Sequence, residues 1–172
     1  MRATVFVGAS LDGFIARADG GLDWLPDDAE DHGYDAFIAT VDALVMGRNT
    51  YDKVLTFGTW PYNEKPVFVL SSRPLSPAPP GAVVERMAGE PADIVSGLSG
   101  RGLGHLYVDG GITIQRFLRA GLIQRLVITW IPVLIGTGIP LFGPTLCDIP
   151  LRHVGTRQFA GGLVQSEYEV IA

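Results

Sequence analysis

The sequence predicts one α/β domain, residues 1–172, with a mixed, mostly parallel sheet, helices on both faces and a C-terminal β-hairpin. Three observations carry that expectation. Short apolar runs of strand character alternate with segments of helical periodicity, the pattern of parallel βαβ units. Two strand-to-helix joins, residues 45–51 and 108–113, share a plan: glycine at the strand end and a hydroxyl residue at the helix start. The last twenty residues read as two strands turning at Gly161-Gly162, which adds antiparallel strands at one side.

The elements follow in order. Residues 2–9 alternate as a strand, and residues 10–26 form a loop rich in glycine and aspartate. Residues 28–41 read as a helix, with Tyr34, Phe37, Ile38 and Val41 on one face. Residues 43–46 form a short buried strand closed by Gly47, and residues 49–55 a helix. A strand at 66–70 leads into a proline-rich loop at 71–81. A strand at 82–86, a helix at 91–98, a strand at 105–108 and a helix at 112–120 come next. Residues 124–134 form a long strand before the hairpin.

Composition narrows the function. Of 172 residues, 47% are hydrophobic and 18% charged, the balance of a folded globular chain. A net charge of -5 argues against general binding to nucleic acid or anionic membranes. No apolar run approaches the roughly 20 residues that span a bilayer. One cysteine, Cys147, excludes a disulfide framework or zinc–thiolate cluster within the chain and fits a reducing cytoplasm. His32, His105 and His153 are isolated, so no metal site is expected.

The chemistry-bearing stretches lie where strands end. A helix N-terminus presents unpaired N–H groups and the positive end of a dipole, and glycine lets a phosphate approach the backbone. Two such turns in one sheet suit a ligand with more than one phosphate. Residues 67–74 (VFVLSSRP) place hydroxyls and an arginine at a third strand end, where open α/β sheets bind ligands. Each stretch also has a purely structural reading, since glycine turns and hydroxyl caps are ordinary in such folds.

Five motifs stand in order over residues 9–138: SLDGFIA, VMGRNTY, VLSSRP, DGG and PVLIGTG. The set resembles the dihydrofolate reductase superfamily, in particular the reductase domain of riboflavin-biosynthesis deaminase–reductases, the RibD C-terminal type. That resemblance implies a three-layer, dihydrofolate-reductase-like fold and NADPH as cofactor. It implies that Gly47, Arg48, Thr50, Ser71, Ser72 and Arg73 hold the adenosine 2′-phosphate and adenine end. Gly110, Gly111, Ile112 and Thr113 would then hold the diphosphate. Ser10, Asp12, Gly13 and Trp24 would border substrate, and Asp109 would contact it as an acid. The deaminase half's zinc signature cannot be built from one cysteine.

The implied reaction resembles that of 5-amino-6-(5-phosphoribosylamino)uracil reductase or dihydrofolate reductase: hydride transfer to a small heterocyclic or ribosylamine substrate. Asp12, Asp28 and Asp109 are the candidate proton donors, with Asp31 beside Asp28. The acids of residues 27–31 equally suit the first turn of a helix. Two rival readings are a nucleotide-binding protein without turnover and a reductase using a deazaflavin or flavin. A homodimer is expected from the apolar run 126–135 and from the dimeric relatives the resemblance implies. The alternative is that the terminal hairpin covers this run.

Overall fold

The structure, a computed structural model, describes all residues except 28 and 29. Its elements are β1 (Arg2–Ser10), β2 (Phe14–Ala16), α1 (Tyr34–Ala39), β3 (Ala43–Gly47), α2 (Arg48–Leu55), β4 (Val67–Leu70) and β5 (Val84–Met87). They continue with α3 (Pro91–Gly100), β6 (His105–Asp109), α4 (Gly111–Arg119), β7 (Arg125–Ile131), β8 (Ile139–Pro140), β9 (Leu151–Gln158) and β10 (Val164–Val170). Among the described residues no helix is long and apolar enough to cross a membrane.

Eight strands form one sheet in the order β5-β4-β3-β6-β1-β7-β10-β9. The first six run parallel, and β10 pairs antiparallel with both β7 and β9. Strand parity sorts the core into two layers. Ala43 and Val45 of β3, with Leu106 and Val108 of β6, face Ile94 and Leu98 of α3 and Ile114 and Phe117 of α4. The alternate residues Leu44, Met46 and Tyr107 face Phe37 of α1 and Tyr51 and Val54 of α2. This is the expected three-layer arrangement, with the hairpin turning at residues 160–162.

Three elements differ from expectation, each for a local reason. Within the described residues, α1 starts at Tyr34 rather than running on from residue 28. His32 at φ 51° and Gly33 at φ 83° are left-handed, a conformation that breaks a right-handed helix. The carboxylate of Asp31 fixes that break by accepting from the backbone N–H groups of Gly33 (3.0 Å) and Asp35 (2.9 Å). Strand β7 stops at Ile131 because Pro132 has no N–H to continue a ladder. The pair β2–β8 forms a small second sheet that no periodicity announces, since its strands span three and two residues.

Strand β7 is not an edge. It lies between β1 and β10 and is buried along most of its length. Residues 126–131 of the apolar run that suggested a dimer are thus paired within one chain, while Leu134, beyond the strand, is exposed.

Candidate active-site cleft

The carboxyl ends of β4, β3, β6 and β1 lie side by side, and the cleft over these ends measures 560 Å³, within the roughly 300–1,000 Å³ that takes a small-molecule ligand. Adjacent strands are about 4.8 Å apart, so from β4 to β1 it extends about 14 Å. Its two ends differ in chemistry. The β4–β3 end carries Arg48, Ser71, Ser72 and Arg73, and Arg116 of α4 joins the lining. The β6–β1 end carries Phe6, Leu22, Leu25, Tyr62, Tyr107 and Asp109.

The two glycine turns interlock. A Cβ on Gly47 would lie 3.0 Å from Thr113 Oγ1, and one on Gly110 would collide with Thr50 Oγ1. Each turn's glycine thus admits the other turn's threonine. Gly110 also holds φ 93°, and a Cβ on Gly111 would come within 2.9 Å of Ile139 Cγ2 and 3.0 Å of Pro140 O. Turn geometry and packing therefore require both glycines of the DGG stretch, whatever they bind. Neither α2 nor α4 has a side-chain cap, and their first turns line the cleft through Asn49, Thr50, Ile112 and Thr113. Backbone donors at such termini suit anions.

The arginines are placed differently. Arg48 Nη1 donates to the Pro74 carbonyl at 2.7 Å, and its Nε lies 3.5 Å from Asp52 Oδ2. These contacts hold the guanidinium beside the loop that carries Arg73. Ser71 shapes that loop: its Oγ accepts from Arg73 N–H at 3.1 Å and donates to Arg73 O at 2.8 Å. Lys53 also lines the cleft, one turn along α2 from Asn49 and Thr50.

Asp109 ends β6 on the same face as Tyr107, two residues earlier, and lines the cleft. One carboxylate oxygen accepts from the Gly110 N–H at 2.8 Å. Burial outweighs that hydrogen bond and pushes the carboxyl up to about 6. It therefore holds a proton to higher pH than an ordinary carboxyl.

The ten residues expected to hold the cofactor all line this one cleft, as does Asp109. Ser10, Asp12 and Trp24 do not. Ser10 is buried; its Oγ donates to Asp12 at 2.6 Å and accepts from Phe14 N–H at 3.0 Å. Asp12 also accepts from the N–H groups of Ile135 (3.2 Å) and Gly136 (2.8 Å). The Ser10 hydroxyl, with those backbone donors, holds its carboxyl below the usual range. Asp12 thus ties two loops together. Near Trp24, the cleft wall is made by Leu22 and Leu25. Asp28 lies outside the described residues, and Asp31 is engaged at the start of α1. Asn49 and Lys53 were legible as the α2 face shared with Thr50. Phe6, Tyr62 and Tyr107 carried no motif.

Residues 3–165 match the family described as the RibD C-terminal domain. The chain is 35% identical to the uncharacterised Bacillus subtilis protein YwjB over 97% of each chain. A Shewanella sp. PV-4 protein named for riboflavin biosynthesis shares 40% identity and superimposes with a TM-score of 0.90 over 100% of both chains. Dihydrofolate reductase from Enterococcus faecalis, a complex with NADP(H), shares the fold at TM-score 0.69 and 16% identity, over 98% of this chain and 96% of that one.

Proposed function

This chain belongs to the RibD C-terminal domain family, and we propose that it is an NADPH-dependent reductase acting on a small heterocyclic or ribosylamine substrate. The observation that carries the reading is the convergence of three separate loops on one cleft. Residues 47–50, 71–73 and 110–113 line it together, with the half-buried acid Asp109 beyond them. The NADP(H) of the E. faecalis enzyme, a fold relative, supports the same choice.

The residues fit that cofactor. In this reading Arg48 and Arg73 take the adenosine 2′-phosphate, with Ser71 and Ser72 beside it, because a guanidinium fork matches phosphate oxygens. The first turns of α2 and α4 hold the diphosphate on backbone N–H groups. The nicotinamide would supply a hydride when bound. The aromatic end of the cleft orients the substrate and excludes water. Asp109 gives its proton to the nitrogen or oxygen of the reduced C=N or C=O bond and regains one from solvent.

Fluorescence titration with NADPH and NADH tests the cofactor, and tighter binding of NADPH is expected. Turnover is tested by loss of nicotinamide absorbance with 5-amino-6-(5-phosphoribosylamino)uracil or 7,8-dihydrofolate. Absence of NADPH binding would overturn the reading.

A further inference from the structure

Tyr34, Tyr62 and Tyr107 belong to one cluster at the aromatic end of the cleft, and their hydroxyls are in different situations. Tyr107 Oη donates to the Phe6 carbonyl at 2.9 Å, so its hydroxyl is committed to the fold. Tyr34 packs edge-on against Phe6 and Tyr107, at 5.6 and 6.3 Å between ring centroids, and is not part of the cleft lining. Tyr62 comes from the loop between α2 and β4. Its ring stands edge-on to Trp60 at 5.2 Å, only 6% of the residue is exposed, and it lines the cleft.

The Tyr62 hydroxyl makes no hydrogen bond with any described residue. Nor is it sealed in: the buried polar atoms without partners include Trp24 Nε1 and Trp60 Nε1 but not Tyr62 Oη. Tyr62 also borders a second cavity, beside Asp42 and Lys65. Tyr62 and Asp109 line the same cleft, and both come from its aromatic end. A nearly buried hydroxyl with an open end and no protein partner is satisfied by whatever enters.

We propose that Tyr62 is a substrate-contacting residue whose hydroxyl, with the outer oxygen of Asp109, forms a two-point fork for the edge of a flat ring. This rests on the reductase reading, since it assigns the aromatic end of the cleft to substrate. Burial, and then the neighbouring Asp109, raise the Tyr62 phenol well above its ordinary value. It therefore stays an O–H donor at every working pH. Asp109 accepts when ionised and donates when protonated. The fork selects a ring that places an acceptor nitrogen or carbonyl beside an N–H group.

The test uses 2,4-diaminopyrimidine, a flat ring with that edge, titrated by calorimetry into wild type and Tyr62→Phe. Wild type should bind it, and the variant should bind about tenfold more weakly or worse, the loss expected for one hydrogen bond to a charged or strongly polar partner. Tyr62→Phe keeps the ring, so its thermal midpoint should stay near wild type. Tyr107→Phe strips the donor from the Phe6 carbonyl and should lower the midpoint instead. Equal affinity in wild type and Tyr62→Phe, or no binding to wild type, overturns the proposal. NADPH titration of the same samples separates the two readings: loss of NADPH binding in wild type removes the reductase reading, whereas the probe difference reports on Tyr62 alone.

Discussion

Asp109 is held in a site that disfavours its charge, and this gives it two measurable signatures. Its carboxyl rises from 3.8 to about 6 in the folded chain, so the folded state holds the proton more tightly than the unfolded one. Stability is therefore lost as pH rises from about 4 to about 6, and above that the cost is constant at about 3 kcal/mol. Asp109→Asn should unfold at higher denaturant than wild type at pH 7.5 and show little difference at pH 4, while turnover collapses. Equal denaturation midpoints at pH 7.5 would show that the acid is not penalised. Wild-type turnover should fall as pH climbs through about 6, as the proton is lost. Arg48 and Arg73 act at the other end. A hydrogen bond to a charged group contributes about 1.5–3 kcal/mol, and about 1.4 kcal/mol is tenfold in affinity. Arg48→Ala should weaken NADPH binding about ten- to a hundredfold and leave NADH nearly unchanged. Arg73→Ala should do the same less strongly. Titration of both cofactors at one salt concentration decides it, and equal losses for the two would withdraw the assignment.

At the scale of elements, the turn between β6 and α4 separates two roles that adjacent glycines can play. Gly110 holds φ 93°, and a Cβ there meets the Thr50 side chain. With ψ at 137°, that conformation is one almost only glycine adopts, and a side chain there costs about 1–3 kcal/mol before any clash. Gly111 has an ordinary φ, but its Cβ would press on Ile139 and the Pro140 carbonyl of β8. Gly110→Ala should thus lose both stability and NADPH affinity, because it distorts the α4 N-terminus and the facing α2 turn together. Gly111→Ala should disturb β8 and the loop paired with it. Comparing thermal midpoints and NADPH affinity for the two variants checks this, and an unperturbed Gly110→Ala protein would contradict it. Asp12 belongs to the same scale. It joins the loop after β1 to residues 135 and 136, beyond β7. Asp12→Ala should loosen both loops, and rescue by Asn should be incomplete, because the charge-assisted hydrogen bonds are the stronger ones.

For the whole molecule, the sheet order decides what one chain can bury. Strand β7 has neighbours on both sides, which leaves β5 and β9 as the edges of the main sheet. Strand β9 is largely exposed along its eight residues, including Leu151 and Val154. A homodimer stays our proposal, with β9 in place of β7 as the surface that would carry it. Light scattering at micromolar concentration should give twice the chain mass, and Val154→Asp should lower it. A monomeric wild type would end the proposal.

Alternation of strands and helices, with parity inside each strand, was enough to set the three layers. Strand parity in 105–109 puts Asp109 on the face of Tyr107, but 43–46 is apolar throughout, so which helices cover that face was left to the tertiary structure. The glycine-to-hydroxyl joins likewise marked where the cleft lies, because strand ends and helix starts meet at one edge of a parallel sheet. The sequence could not show that Asp12 is engaged by residues more than 120 positions away, for its ligands are backbone N–H groups without identity in the sequence. The start of α1 was hidden similarly, since His32 and Gly33 break the helix through φ rather than composition. Tyr62 stood in a loop without period or motif, and only folding brought it into the same cleft lining as Asp109. Local pattern fixes the faces of elements because backbone geometry is local; partners distant in the chain depend on how those faces pack, and that is settled by the tertiary structure.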